Sequence, residues 1–256
     1  MFMLNIPSLY GKVSDDEWLI RIHLAASFRV AYYYGWNETI NNHISARIPS
    51  EPDTFVINPV GLGWDEITAS SLIKADIHYN ILSDSALSLA KSGQSFHTEI
   101  HKERKDLQCV FHIHPASGVI VSAMTEGLKF FDQNACALYG KVGLHGFQGM
   151  PDTKNEGEKI VRDIKNNFAL ILANHGLLTV GRTIGEAFTL MQRLIRACDV
   201  HIRVLSTGGK HREIPKDIAI LTANQMWERR KNKPFGDRTW PAIMRLAERL
   251  DPSFKN

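Results

Sequence analysis

Cysteine is scarce in this sequence, with three residues among 256. Cys109, Cys136 and Cys198 lie far apart and form no Cys-x-x-Cys pair, which excludes a disulfide framework and a cysteine zinc knuckle and indicates a reducing compartment. Long apolar runs are missing too. None approaches the roughly 18 residues of a membrane span, and the N-terminus lacks the pattern of a secretory signal. We therefore expect a cytoplasmic protein without a membrane partner.

Charge of one sign is also in short supply. The 30 Lys and Arg residues exceed the 27 Asp and Glu residues by three, which is too few to indicate nucleic acid as the main partner. Glycine-rich phosphate loops are absent, because Gly61–Gly63 lacks the third glycine of a dinucleotide fingerprint and Gly208–Lys210 lacks the Ser or Thr of a P-loop. The near-neutral charge fits a protein that acts on a small molecule.

The composition itself is that of a folded protein, with 44% hydrophobic and 22% charged residues. Strand-like and helical segments alternate along the chain, without an internal repeat or a low-complexity linker. The simplest organisation is a mixed α/β domain over residues 1–210. A helical extension over 211–256 would then pack on the same domain or on a neighbouring subunit.

Local patterns predict the individual elements. Two capping boxes, whose first and fourth residues satisfy each other's backbone amides, predict helices beginning after Ser14 and after Thr183. Strands are predicted at 54–57, 109–114, 169–173 and 177–180, the last two as a hairpin. Further helices are predicted at 119–124, from Thr222 and from about Trp240.

Histidine is the residue type that stands out, with eleven in the chain and five between His97 and His145. His112 and His114 are two residues apart in a predicted strand, so their rings project from one face and can chelate one ion. His175, in a turn after another buried strand, can supply a third ligand. Three neutral imidazoles suit Zn²⁺, and an open fourth position is typical of catalytic zinc. The spacing alone is equally compatible with three hydrogen-bonded, partly buried histidines.

The segment from His97 to His101 resembles the metal-binding helix of zinc proteases. In that motif the glutamate directly follows the first histidine, whereas Glu99 comes two residues later, about 200° around a helix. The two histidines can still share a helix face and line a site, but the pattern favours capping or surface positions.

Several ordered segments together resemble the class II aldolase and adducin head-domain family. They are Asn42–Arg47, Ile67–Leu72, Val110–His114, Asn174–Leu177 and Gly185–Ala187. The resemblance implies a three-layer α/β/α fold around a central, mainly antiparallel sheet. It also implies that His112, His114 and His175 bind a divalent cation, usually zinc, with Fe²⁺ or Mn²⁺ as alternatives.

The family's enzymes use the metal to stabilise the enediolate that forms when a carbon–carbon bond breaks. They are commonly tetramers with sites at subunit interfaces, which implies a homo-oligomer here. Asn42, His43 and Gly61 are the residues expected to bind the substrate. The family's glycine-asparagine phosphate loop is altered to Asn42–His43, which argues against a phosphorylated substrate.

One departure from the family concerns proton transfer. Its sugar-phosphate aldolases carry a Ser-Ser-Glu stretch whose glutamate shuttles a proton, and Gly93 occupies the position of that glutamate. Glycine cannot transfer a proton. Glu99, His97 and Tyr139 are the catalytic candidates to replace it, with Glu38 and His145 as further ones.

The sequence leaves three functions open. The first is a metal-dependent lyase of the class II aldolase type acting on a small hydroxy-carbonyl or keto-acid substrate. The second is a non-haem iron oxygenase or decarboxylase using the same three histidines. The third is a non-catalytic binding module of the adducin type, for which an actin-type partner is expected.

Overall fold

The computed structural model describes residues 6–83, 85–149 and 154–256, so the first five residues of the predicted domain 1–210 lie outside it. The helices are Asp15–Tyr33 (α1), Lys91–Glu103 (α2), Ala116–Ser122 (α3), Lys154–Ile164 (α4), Ile184–Ser206 (α5), Lys216–Glu228 (α6) and Trp240–Leu250 (α7). The strands are His43–Ile48 (β1), Glu51–Ile57 (β2), Ile73–Asp76 (β3), Cys109–Ile113 (β4), Val142–His145 (β5), Ala169–Leu172 (β6) and Gly176–Gly181 (β7). Short 3₁₀ turns lie at Ala135–Leu138 and Pro252–Lys255.

The strands form one seven-stranded sheet in the order β3-β2-β1-β4-β7-β6-β5. Neighbouring strands are antiparallel except for β5 and β6, which are parallel. The predicted hairpin of β6 and β7 is present, and β4 lies in the middle of the sheet. The mainly antiparallel sheet expected from the family resemblance is confirmed.

Helices cover both faces of this sheet, which makes three layers. On one face α1, α3, α5 and α7 enclose the larger apolar core. On the other face α2 and α4 enclose a smaller core around Phe96 and Ile160. Every residue of β1 is buried, because its two sides meet different layers. Ile44 and Ala46 contribute to the larger core, while His43 and Ser45 face α2.

The capping boxes are half formed. Oγ of Ser14 accepts a hydrogen bond from the backbone N–H of Glu17, as predicted. The carboxylate of Glu17 does not return the bond but lies in a buried ion-pair network with Arg21 and Lys74. The prediction that this carboxylate also accepts from the backbone amide of Ser14 was wrong, because it points into the protein, where two cations neutralise it. At α5 the carboxylate of Glu186 is likewise held by a neighbouring arginine.

The C-terminal helices pack on the rest of the chain. Trp227 in α6 donates a hydrogen bond from Nε1 to the carbonyl oxygen of Ala137 at 2.7 Å, and Phe254 is fully buried. Helix α6 begins at Lys216 after Pro215, not at Thr222 as predicted, because proline readily precedes the first helical turn. None of the described helices is long and apolar enough to cross a membrane. The domain division near residue 210 stays a prediction.

Candidate metal centre

Three histidine side chains converge where β4 ends beside β7. His112 lies in β4, His114 comes two residues later, and His175 lies in the turn between β6 and β7. Asn174 has a left-handed backbone conformation (φ 55°), which asparagine tolerates and which turns the chain sharply before His175. As a result, one ligand nitrogen from each ring lies within 4.8 Å of the other two.

Hydrogen bonds to two of these rings determine which nitrogen is free. Nδ1 of His112 lies 3.0 Å from the carbonyl oxygen of Leu177, and Nδ1 of His114 lies 2.7 Å from Oε2 of Glu38. Since carbonyl and carboxylate oxygens accept, each Nδ1 carries the proton and donates it. Nε2 of both rings then presents a lone pair.

These two Nε2 atoms lie 2.9 Å apart. A hydrogen bond between them would require one ring either to give up its bond at Nδ1 or to take a second proton and a positive charge, and two facing lone pairs repel each other. A cation beside them removes the conflict. The donor set therefore fits a divalent metal ion, with Leu177 and Glu38 orienting the ligand rings as outer-shell partners do in metal sites.

Two of the three rings, those of His112 and His175, are held in their neutral form. Burial keeps the pKa of His112 well below its ordinary value, and the neighbouring imidazoles lower it further. Burial also lowers the pKa of His175 to about 4, with a smaller contribution from His114. Both rings are thus unprotonated at neutral pH, which is the state that a metal ion requires.

A cavity of about 450 Å³ opens in front of the three histidines. It is lined by Ile40, Asn41, Asn42, His43, Asn58, Pro59, Val60, Ala90 and Phe96, together with the three rings. Its volume is typical of a small-molecule site. Cavities of about 750 and 600 Å³ lie elsewhere in the described structure and touch none of the three rings. The converging donors identify the smaller cavity as the candidate site.

A second set of buried histidines extends from this cavity between β1 and α2. Nδ1 of His43 lies 3.0 Å from Nε2 of His97. Oγ of Ser45 lies 2.6 Å from Nδ1 of His97 and 2.7 Å from Nε2 of His101. The period of two along β1 and the spacing of four along α2 bring these side chains together. We call this run of His43, His97, Ser45 and His101 the histidine chain.

The expectation that His97 and His101 cap a helix or lie at the surface was wrong. Their exposed fractions are 0% and 1%. The reason is that α2 packs this face against β1, where the hydroxyl of Ser45 provides both rings with a polar partner. Burial lowers the pKa of His101 to about 3, with a smaller contribution from Arg47, and keeps the pKa of His97 well below its usual range.

The structure brings some of the predicted site residues together and leaves others apart. Asn42 and His43 line the cavity, and Gly61 directly follows Val60, which also lines it. His97 reaches the cavity only through His43. Glu99 instead lies 3.7 Å from Lys102 on another side of α2, beside a different cavity.

Tyr139 lines the separate 750 Å³ cavity near β5. Within one chain, therefore, neither Glu99 nor Tyr139 faces the three rings. Sequence reasoning did not single out Ser45, and it named His101 only as a residue that can line a site while favouring a cap or the surface for it. Their signal was present, since β1 alternates and α2 repeats histidine after four residues, but the contact between these two elements is tertiary.

Comparisons with known proteins identify the family and the fold of this chain. The sequence profile of the Class II Aldolase and Adducin N-terminal domain matches residues 22–202. The chain is 36% identical to an aldolase class 2 protein of Pseudomonas aeruginosa, over 98% of both chains. A crystal structure of an aldolase II superfamily protein from Pseudomonas syringae superimposes with a TM-score of 0.90 at 35% identity, covering 98% of this chain and 100% of that one.

The chain is also 33% identical to alpha-adducin of Rattus norvegicus over 91% of its length, a match that covers 34% of the adducin. The family resemblance carried by the motifs is therefore confirmed by the profile, by full-length relatives and by the fold. The chain belongs to the class II aldolase and adducin family.

Proposed function

We propose that this protein is a zinc-dependent lyase of the class II aldolase type that cleaves or forms a carbon–carbon bond in a small hydroxy-carbonyl or keto-acid substrate. The observation that carries the proposal is the pair of free Nε2 atoms of His112 and His114, which face each other beside His175 at one end of a cavity. Class II aldolases generally depend on a divalent metal ion, and this donor set suits zinc.

The residues of this chain have separable roles in that reaction. His112, His114 and His175 would hold the ion, while Glu38 and the Leu177 carbonyl fix the orientation of two of the rings. When bound, a divalent ion supplies positive charge that stabilises the negative charge formed on substrate oxygens as the bond breaks.

The lining of the cavity supports a small, unphosphorylated substrate. Ile40, Val60 and Phe96 give it an apolar wall, and Asn42 and Asn58 add amide groups. No lysine or arginine occurs among the described residues that line it. His43 stands where the phosphate-binding enzymes of the family carry asparagine. A hydroxy-ketone or a keto acid, recognised by its carbonyl and hydroxyl oxygens, fits this lining.

Metal analysis and a half-reaction test the proposal. Purified protein is expected to contain about one zinc per chain, and His112→Ala and His114→Ala are expected to lose it. The exposed His78→Ala serves as the control, because it removes a histidine that lies outside the cavity. Zinc-loaded protein in D₂O should exchange a carbon-bound hydrogen of dihydroxyacetone or hydroxypyruvate for deuterium. Proton NMR measures this exchange as the loss of the corresponding substrate signal. Unchanged zinc in the His112 and His114 variants would refute the metal site.

Two other outcomes distinguish the competing functions. Bound iron together with oxygen uptake on addition of a keto acid would indicate an oxygenase or decarboxylase built on the same rings. Zinc-free protein that sediments with actin filaments would indicate a binding module, which the 33% identity to alpha-adducin makes worth measuring.

We also propose that the protein is a cytoplasmic homotetramer. The family commonly assembles in this way, with sites at subunit interfaces. Light scattering after gel filtration measures the mass directly.

A further inference from the structure

The starting observation is the close packing of Gly93 against His43. A Cβ atom built on Gly93 would lie 3.3 Å from Cγ and Cδ2 of His43 and 3.4 Å from its Nε2. The His43 ring therefore occupies the space into which a side chain at position 93 would project. Position 93 carries no acid or base of its own, and an imidazole from another element lies there instead.

The histidine chain behind His43 limits the protonation state of that ring. Each neutral imidazole has one N–H, and the hydroxyl of Ser45 has one proton that it can donate to only one neighbour. Three hydrogen bonds link the four side chains. With neutral rings, two proton arrangements satisfy all three bonds and also use the hydroxyl proton of Ser45. A third, in which Ser45 accepts from both His97 and His101, leaves that proton without an acceptor among the described contacts.

In the first arrangement every histidine of the chain carries its proton on Nδ1. His43 donates to His97, His97 donates to Ser45, and Ser45 donates to His101. Nε2 of His43 is then a bare base. In the second arrangement every proton lies on Nε2, all three bonds reverse, and Nε2 of His43 is an acid. The ring nitrogen of His43 that is not bonded to His97 therefore has a defined function in each arrangement.

Burial keeps the chain neutral. It lowers the pKa of His101 to about 3 and holds the pKa of His97 well below its usual range. Nδ1 of His101, at the inner end, is buried and has no partner among the described residues. In either arrangement this atom is without a partner, so no hydrogen bond at the inner end fixes the arrangement.

We propose that His43 is the proton-transfer residue of this site, in place of a carboxylate at position 93, and that His97, Ser45 and His101 are positioning residues that set its tautomer. The proposal rests on the proposed lyase function. Nε2 of His43 takes a proton from a substrate hydroxyl, and the O–H electron pair becomes the carbonyl bond of one product. The carbon that keeps the electron pair of the broken carbon–carbon bond then receives the proton from Nε2, so His43 ends as it began.

The tautomer is measured without any substrate. Zinc-loaded protein with ¹⁵N-labelled histidine is examined by long-range ¹H–¹⁵N correlation, which distinguishes Nδ1–H from Nε2–H rings. We expect His43, His97 and His101 all to carry the proton on Nδ1. Different tautomers within the chain, or a doubly protonated His43, would overturn the proposal. In Ser45→Ala, which loses one hydroxyl and keeps the volume of the site, the His97 signals should show both tautomers.

Exchange of hydrogen on dihydroxyacetone measures the catalytic role. His43→Asn is expected to keep its zinc and to lose at least about 100-fold in exchange rate, the lower end of what acid–base catalysis contributes. Ser45→Ala should lower kcat at least tenfold with KM within twofold, whereas a merely structural role would not separate the two constants. His78→Asn is the matched control and should leave the rate unchanged.

The outcomes separate the two proposals. If the unmodified protein binds zinc but exchanges no hydrogen, the lyase function fails and the catalytic role of His43 fails with it. If the unmodified protein exchanges hydrogen and His43→Asn stays within threefold of it, the function stands and the assignment of His43 is refuted. Loss of zinc in His43→Asn would also refute it, because His43 would then act in binding the metal.

Discussion

Removing Glu38 should weaken zinc binding, because its carboxylate orients the ring of His114. Nδ1 of His114 lies 2.7 Å from Oε2 of Glu38, which leaves Nε2 free beside His112. Outer-shell partners of this kind contribute about 10- to 100-fold to metal affinity. The Glu38 side chain is 53% exposed and that of His114 is 23% exposed, so water screens the contact. We therefore expect Glu38→Ala to weaken zinc affinity by the lower end of that range, about tenfold, which corresponds to ~1.4 kcal/mol of binding free energy.

A graded series makes this expectation specific. Glu38→Gln keeps an oxygen that can accept the proton of Nδ1 but loses the negative charge. Hydrogen bonds to charged groups are about twice as strong as neutral ones, so about half of the free energy, or threefold in affinity, should be lost. The measurement is competition for zinc against a chelator of known affinity at constant pH and ionic strength.

Glu213→Ala is a suitable control, since its side chain is 54% exposed and contacts Lys129 away from the cavity. It should bind zinc like the unmodified protein. If Glu38→Ala binds zinc as tightly as Glu213→Ala does, the Glu38 carboxylate does not support the metal site. If Glu38→Gln is weaker than Glu38→Ala, the contact acts through something other than an acceptor oxygen.

Three further expectations concern stability. Glu17→Gln removes the charge that neutralises the fully buried Arg21. It should lower the free energy of unfolding in urea by about 3 kcal/mol and leave zinc binding unchanged. Gly157→Ala would place a Cβ 2.2 Å from the carbonyl oxygen of Ser95, so α4 must move away from α2. The free energy of unfolding should fall by about 2 kcal/mol in the same assay. The pKa of His101 is about 3 in the folded protein and about 6.5 in the unfolded chain. The stability that neutral His101 gives to the folded state is therefore complete above pH 6.5 and is lost as the pH falls toward 3. Unfolding of zinc-free His101→Gln should accordingly depend less on pH between about 7 and 4.5 than that of the unmodified protein; an equal slope would contradict this.

Strand periodicity is sufficient to predict part of the candidate site. Residues 109–114 alternate in sequence, which by itself puts His112 and His114 on one face of a strand, and the two rings do converge. The hairpin of β6 and β7 is equally visible, because two short apolar runs flank a three-residue turn that holds His175. Local patterns succeed here since each contact lies within one strand or one turn.

Patterns within single elements fail where a side chain is bound by a different element. The sequence favours a cap or the surface for His97 because its own helix offers it no partner, whereas its partners His43 and Ser45 come from β1. Glu17 is expected to return a hydrogen bond to its helix end, yet it neutralises Arg21 and Lys74. Such partners depend on which face of a helix packs on the sheet, and that choice is made by the whole core.

Sheet register joins the two halves of the site. His43 in β1 lies directly opposite His112 in β4, and Ser45 lies opposite Val110. A slip of one residue between these strands would turn His43 and Ser45 toward the apolar layer of α1 and α5. Ile44 and Ala46 oppose such a slip, because they would have to leave that core. The same apolar residues that stabilise the sheet therefore also hold the proposed proton-transfer ring beside the proposed metal ligand, which explains how a site whose residues are spread widely along the sequence keeps a fixed geometry.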